Sequence, residues 1–280
     1  MDDWLFNYAV ERLQATRASG SAACKVCGGQ ADLFDIVDFN KSCHRTQYPL
    51  GLSGVPVSYR MCHECRFVFT DFFEGFTADE WKRYVYNKDY ETVDPDYLSV
   101  RPALNARDIG TLLHGRKSSV IGLDYGGGNG MTMSLLRQDG WAFDTYDPFG
   151  QTDMSQERVG RYNFCSAVEV FEHLPDPIGS MREIVEKASP DRLIILIGTQ
   201  TLDGNVSDET RLSWWYAAPR NGHVSLYSKK SLQTAGALFG LEYSCFRGYP
   251  HLLTRGLTLR EAQALLVKFK LLRLRRRLFR

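Results

Sequence analysis

Two sets of residues in this sequence have types and spacings that can do chemistry. The first is a pair of Cys-x-x-Cys turns, Cys24-Lys25-Val26-Cys27 and Cys62-His63-Glu64-Cys65. Each turn presents two thiolates, and two turns complete the four ligands of a tetrahedral zinc ion. Gly28 and Gly29 help the first turn close. A segment of roughly forty residues buries too little apolar surface to hold itself, so the metal would contribute folding energy. The expectation is a structural Zn2+ on Cys24, Cys27, Cys62 and Cys65. A redox dithiol suits one such pair better than two. Cys43, His44 and His63 are spare potential ligands; Cys43 and His44 lie in a polar loop that could instead face a substrate or simply solvent.

The second set is Asp124-Tyr125-Gly126-Gly127-Gly128-Asn129-Gly130, followed downstream by Asp147. Glycines let a backbone turn tightly and approach a ligand where a Cβ would collide. An acid at the end of the next strand can accept both hydroxyls of a ribose. A nicotinamide-binding turn needs Gly-x-Gly-x-x-Gly, and Met131 stands where its last glycine would be. The absence of Gly-Lys-Ser/Thr argues against a phosphate-cradling P-loop.

These residues need elements to hold them. Residues 120–123 form a short apolar run that reads as a buried parallel strand. Residues 132–138 read as a helix ended by Gly140, and 142–146 as a second strand with Asp147 at its end. Only 148–162 precede the next strand, 163–170, which is too short for the usual crossover helix and third strand. The loop Phe171-Glu172-His173-Leu174-Pro175-Asp176-Pro177 then follows at the carboxyl end of a parallel strand, where ligands gather in open α/β sheets. A helix over 178–188 and a strongly apolar strand over 192–197 come next. Residues 199–222, with Trp214, Trp215 and Tyr216, form an irregular insert of the kind that makes lids and binding walls. Ser228 caps a helix over 229–239, and 242–246 with 249–254 make a closing hairpin. Ahead of the glycine turn, 33–39, 55–60 and 67–69 read as strands. Residues 4–16, 78–86 (with a Thr77/Glu80 capping box) and 101–114 read as helices.

Composition narrows the function classes. Hydrophobic residues are 44%, charged residues 24% and the net charge is +1, so no global field points to nucleic acid. No apolar run approaches the ~20 residues that span a bilayer. The N-terminus begins acidic without a small-residue cleavage site, which reads as no secretory signal. With seven cysteines and no signal, a reducing, cytoplasmic setting and metal binding fit better than disulfides.

On Leu123 to Gly130, Asp147, the 170–177 loop and Gly222-His223-Val224-Ser225-Leu226-Tyr227-Ser228, the chain resembles a class I S-adenosylmethionine-dependent methyltransferase over about residues 100–255. The resemblance implies an α/β, Rossmann-like sheet, seven-stranded with a reversed last hairpin. It implies that Gly126, Gly128 and Gly130, with Asp124 ahead of them, line the methionine part of the cofactor and that Asp147 binds its ribose. Glu169 stands where a polar or acidic residue meets the cofactor. Phe149 or Phe164 could stack on adenine. The four-cysteine module makes the chain similar to zinc-containing C-methyltransferases of nucleotide-linked deoxysugars. Those often carry a further C-terminal domain that this sequence lacks.

S-adenosylmethionine presents a methyl on a sulfonium, and the protein must align a nucleophile and, where needed, remove its proton. Histidine suits that work, with an ordinary pKa of ~6.5. His173 and His223 are the candidate bases, with Glu172 beside them; each could instead tie down its loop, and Glu172 could cap a helix. Tyr86, Tyr90 and Tyr216 are weaker candidates for holding substrate. Glu169-Val170-Phe171-Glu172 replaces the Asn-Pro-Pro-Tyr signature of amino-group methylation. A small acceptor, sugar or nucleotide-sugar, methylated at carbon or oxygen, is therefore favoured over nucleic acid. Two other readings stay open. A zinc-ribbon RNA-modifying methyltransferase would need a basic cysteine module, yet 24–65 has few Lys or Arg beside three Asp and one Glu. A non-catalytic cofactor-binding scaffold is the other.

The expected division is an N-terminal helix and linker (1–23), a zinc module (24–70), a helical connector that could cover substrate (71–117), the methyltransferase domain (118–255) and a basic amphipathic helix (256–280). That last segment holds nine Lys/Arg against one Glu from Arg255 on. Its stripe of Leu265, Leu266, Phe269 and Leu272 could lie on an anionic membrane surface, on an acidic partner or on the protein's own core.

Overall fold

The computed structural model describes residues 3–44, 48–246 and 248–278, with side chains along the last helix as far as Leu272. In chain order the elements begin α1 (Asp3–Ser19), β1 (Ser21–Ala23), β2 (Gln30–Asp38), β3 (Pro56–Cys62), β4 (Val68–Phe69), α2 (Ala78–Glu80) and α3 (Tyr90–Val93). They continue α4 (Val100–Leu112), β5 (Ile121–Tyr125), α5 (Met131–Gln138), β6 (Ala142–Tyr146), β7 (Phe164–Val168), α6 (Pro177–Lys187) and β8 (Leu193–Gly198). The chain closes with β9 (Ser225–Leu226), α7 (Lys229–Ala237), β10 (Glu242–Cys245), β11 (His251–Arg255) and α8 (Leu259–Leu278).

The chain forms two compact units. One comprises Met1–Pro95, Glu172–Ile178 and Gln200–Ala235; the other comprises Asp96–Phe171, Gly179–Thr199 and Gly236–Arg280. The first unit therefore gathers the cysteine segment, the loop after β7 and the long insert, which the sequence reading had assigned to separate stretches.

The first unit is built on an antiparallel sheet of order β1-β2-β3-β4-β9. Its core packs Val57, Tyr59, Phe72, Trp81, Trp214 and Tyr216 together with Leu5 and Ala9 of α1. Arg60, 3% exposed, ties the C-terminal end of α1 to this sheet by donating to Gly20 O, Thr16 O and Ser19 Oγ. A guanidinium among the last carbonyls of a helix satisfies acceptors that the helix cannot. The Thr77/Glu80 capping box is present: Glu80 accepts from Thr77 N at 2.6 Å, and Thr77 Oγ1 accepts from Glu80 N at 3.3 Å. The helix expected over 78–86 widens after one turn into a π-helical turn, Trp81–Val85, closed by Tyr86 N–H to Trp81 O at 2.9 Å. The wider turn places Trp81, Tyr84 and Val85 inward together.

The second unit holds a six-stranded sheet of order β10-β11-β8-β7-β5-β6. β8, β7, β5 and β6 are parallel, and β11 runs antiparallel to β8 with β10 folded back on it. Every residue of β8 is buried, as its unbroken apolar run requires of a central parallel strand. The reversed hairpin stands as the resemblance implied. The seventh strand does not: among the described residues β6 is the edge strand, and 147–163 contain a 3-10 turn, Gln156–Arg158, and two isolated bridges, Asp153 to Thr145 and Tyr162 to Ala188. Asp144 explains how so short a segment is held. It is fully buried and accepts from Arg137 and Arg158 at 2.7 Å, Tyr162 Oη at 2.8 Å and Ser155 N at 3.1 Å. Burial opposes its ionisation, but these hydrogen bonds and the arginine charges outweigh it and hold the carboxyl below the usual range.

Of the three placements open to the last helix, the apolar stripe takes the protein's own core. Leu265, Leu266 and Phe269 pack with Ala106, Ile109 and Leu112 of α4. The side chains of the basic run from Arg273 on lie outside the described residues. Among the described residues no helix is long and apolar enough to cross a membrane.

Candidate active site

In the second unit, β5 delivers the chain into the glycine turn. Gly126, Gly128 and Gly130 have φ of 72°, 57° and 73°, values that side chains rarely adopt. A Cβ at Gly126 would run into Val170, whereas one at Gly128 would meet nothing within 4 Å. The turn is therefore closed beneath and open at Gly128. Asp147, at the end of the neighbouring strand, reaches back to it: Oδ2 accepts from Gly128 N and Oδ1 from Phe149 N, both at 2.8 Å.

Asp124 lies below the turn, 5% exposed. Strand register sets Asp124 opposite Ser166, whose Oγ donates to Asp124 Oδ1 at 2.7 Å. Burial raises the Asp124 carboxyl to about 7; the Ser166 hydrogen bond pulls the other way and the Asp147 charge adds to the rise. Glu169 follows β7 with φ 57°, its N–H donating to Gly198 O at 2.9 Å. A non-glycine residue in this region costs roughly 1–2 kcal/mol. The two aromatic candidates for adenine separate: Phe164 is fully buried against Phe143 and cannot stack on a ligand, while Phe149 is 69% exposed.

In the first unit, the four cysteines converge. Cys24 Sγ and Cys65 Sγ are 3.6 Å apart, Cys27 Sγ and Cys62 Sγ 3.4 Å, and all four sulfurs lie within 4.8 Å of one another. Thiolates at ~2.3 Å around one tetrahedral metal would stand about 3.8 Å apart, so the donors fit a single ion. Backbone N–H groups of Val26 and Cys65 point at Cys24 Sγ and Cys62 Sγ, at 3.4 and 3.5 Å. His63 is outside this cluster, its Nε2 2.8 Å from Asp32 at the surface.

A second polar cluster in the same unit collects the residues read as candidate bases. Glu172, His173 and His223 each bring a ligand-capable atom within 4.8 Å of the others. The His173 and His223 rings stand 5.0 Å apart at 81°. Tyr216 Oη donates to Glu172 Oε1, and Tyr216 O lies 2.7 Å from His223 Nδ1. Tyr86 Oη is 3.4 Å from His173 Nδ1. Tyr90 packs edge-on against Tyr86, ring centroids 5.1 Å apart, and donates to Asn221 O at 3.4 Å. Cys43 faces this cluster rather than the metal cysteines, its sulfur 3.9 Å from His223 Nδ1. Glu172 does not cap the following helix; it is fully buried, and its Oε2 has no hydrogen-bond partner.

Lys41 was not singled out in the sequence, where it is one lysine in a polar loop. It is 6% exposed and its Nζ donates to Trp214 O at 2.6 Å and Ala217 O at 2.7 Å, pinning the segment that carries Tyr216. Burial lowers its amine to about 8. Ser166, beneath the glycine turn, was also missed. Its only signal was its place one strand over from Asp124.

No curated protein matches the chain in sequence. Among solved structures, the mitomycin 7-O-methyltransferase MmcR is similar at 12% identity, over 65% of this chain and 62% of that one, with a TM-score of 0.46. The plantazolicin methyltransferase BpumL in complex with SAH is similar at 12% identity over 64% and 93%, TM-score 0.43. Magnesium protoporphyrin IX methyltransferase (ChlM) from Synechocystis PCC 6803 with bound SAM is similar at 15% over 66% and 92%, TM-score 0.37. The chain thus spans less than two thirds of the mitomycin enzyme. A family described as a methyltransferase domain matches residues 97–245. That span is more than half of the sequence, and the chain belongs to this methyltransferase-domain family of enzymes.

Proposed function

We propose that this chain transfers a methyl group from S-adenosylmethionine to a small, carbohydrate-like acceptor at carbon or oxygen. The observation that carries the reading is the glycine turn, open at Gly128 and rimmed by the Asp147 carboxylate. Such a turn fits the donor: Gly126, Gly128 and Gly130 would lie along its methionine part, with Asp124 and Glu169 at that side. Asp147 would accept the ribose hydroxyls. When bound, S-adenosylmethionine supplies an electrophilic methyl on a sulfonium.

The chain's own residues supply the rest. His173 or His223 takes the acceptor's proton, the work of an imidazole near neutral pH. Tyr216 orients both Glu172 and His223, and Glu172 balances the charge that an imidazole gains. The four cysteines hold a structural zinc that closes the sheet of the first unit. That module has few Lys or Arg beside its acids, which supports a small acceptor over a polyanion. The nucleotide-linked sugar is proposed on the sequence resemblance of the four-cysteine arrangement to zinc-containing sugar C-methyltransferases alone. We read the setting as reducing and cytoplasmic, in which Cys24, Cys27, Cys62 and Cys65 would be available as thiolates for the metal.

Calorimetric titration with S-adenosylmethionine tests the reading. One donor bound per chain is expected, followed by labelled-methyl incorporation into a nucleotide-sugar panel; absence of donor binding overturns it.

A further inference from the structure

We propose that Glu172, His173 and His223 form a binding site for one divalent first-row cation, separate from the four-cysteine site. The three ligand atoms lie within 4.8 Å of one another, close enough for one ion to draw them together by modest side-chain movement. Glu172 is fully buried and its Oε2 lacks any hydrogen-bond partner. A buried carboxylate oxygen left without a donor is costly and calls for an occupant. The other oxygen, Oε1, is already taken by Tyr216 Oη, which fixes the carboxylate's orientation.

The histidines are prepared in the same way. His223 Nδ1, 2.7 Å from Tyr216 O, acts as the donor to that carbonyl, and the lone pair then falls on Nε2. A ring N–H given to a backbone carbonyl and a ligand carboxylate held by a neighbour are the outer contacts that metal sites use. Tyr216 supplies both. The near-perpendicular His173 ring approaches from a second direction. Two imidazoles and one carboxylate suit zinc, manganese, iron(II) or cobalt rather than a soft cation, and three protein ligands leave positions open.

The site refines the functional reading above and rests on it for its chemical consequence, an oxygen acceptor: with His173 and His223 on the cation, activation of the acceptor passes from an imidazole base to the ion. A hydroxyl bound to the cation releases its proton to solvent more readily than a free one. The oxygen's electron pair then forms the C–O bond as the S–CH3 bond breaks, with that bond's pair remaining on sulfur.

The test uses full-length protein carrying one zinc per chain, titrated with Mn2+ and followed by the paramagnetic resonance signal of free Mn2+. Thiolate-held zinc resists exchange with manganese. Uptake of one Mn2+ per chain by the wild type, weakened at least tenfold by both Glu172→Gln and His173→Ala, supports the site. Absence of uptake, or equal uptake by both variants, overturns it; a protonated imidazole paired with Glu172 would give that result. His173 is only partly buried, so its variant keeps the test open should Glu172→Gln misfold. Calorimetry with S-adenosylmethionine on the same samples separates the two claims. Donor binding without Mn2+ uptake overturns the cation site alone, and Mn2+ uptake without donor binding supports the site while overturning the methyl-donor reading.

Discussion

Gly128 donates its backbone N–H to the Asp147 carboxylate at 2.8 Å, so the turn and the acid form one unit rather than two independent features. Asp147→Ala removes the acceptor for both Gly128 N and Phe149 N. A charged hydrogen bond contributes about 1.5–3 kcal/mol, so affinity for S-adenosylmethionine should fall at least tenfold by calorimetry. Gly128→Ala separates stability from binding. Its Cβ meets nothing, so only the backbone cost of φ 57°, about 1 kcal/mol, appears in thermal unfolding. Donor affinity should fall by more than that cost, because the added methyl occupies the open face.

Asp124 makes a pH signature. Its folded carboxyl titrates at about 7, above its unfolded value. The native state therefore binds the extra proton, and stability from this group falls as pH rises from about 4 to about 7. Asp124→Asn, which can still accept from Ser166, removes that slope. The difference in melting temperature between variant and wild type should move in the variant's favour between pH 5 and pH 8. A difference independent of pH would contradict the raised pKa.

In a cobalt-substituted sample the thiolate charge-transfer band reports on the cysteines alone. Four thiolates around Co2+ give an intense ligand-to-metal charge-transfer band that an imidazole–carboxylate site lacks. Cys62→Ser should abolish or shift the band and lower the melting temperature, since this metal's binding energy is folding energy. Glu172→Gln should leave the band in place. A band unaffected by Cys62→Ser would remove that residue from the metal site.

What could be read from sequence follows how local each signal is. The strand, glycine turn, helix and second strand from Ile121 to Tyr146 lie within one stretch and carry their own periodicity and punctuation. The Thr77/Glu80 cap and the paired Cys-x-x-Cys turns were legible for the same reason. The shortened segment after Asp147 was legible by length, but its fastening on Asp144 was not, because nothing in the pattern marks that aspartate from its neighbours. The pairing of β4 with the two-residue β9 was invisible, since the partners are far apart in sequence and β9 has no period of its own. Tyr216 meets Glu172 across 44 positions and Lys41 reaches Trp214 across 173. Both depend on tertiary folding that no window of the sequence contains. The apolar stripe of α8 was readable; its partner, α4, was not.

Lys41 anchors the segment from Trp214 to Ala217 by two buried hydrogen bonds. Lys41→Met keeps the aliphatic stem and leaves two carbonyls unpaired, a loss of about 1–3 kcal/mol for each buried group. The amine, lowered to about 8 by burial, binds its proton less tightly folded than unfolded. Stability from it therefore rises as pH climbs from about 8 to about 10, and that rise should vanish in the variant. Denaturant unfolding at several pH values measures both effects.

Tyr216 is the residue through which Glu172 and His223 are held in one arrangement, its hydroxyl on the carboxylate and its carbonyl on the imidazole. Tyr216→Phe removes only the first of these, because the carbonyl belongs to the backbone. The variant should keep the His223 contact and lose the fixed orientation of Glu172, whose two oxygens are then both without the tyrosine hydroxyl. Destabilisation of about 1–3 kcal/mol follows from a buried acceptor losing its donor. The glycine turn belongs to the other compact unit, so affinity for S-adenosylmethionine should stay within twofold of the wild type while turnover drops at least tenfold. Tyr216 is a positioning residue under this reading, and the split between donor affinity and turnover is its signature. A variant that loses both in equal measure would instead mark the tyrosine as a packing residue whose removal loosens the whole chain. Unchanged turnover would separate Glu172 from the chemistry altogether.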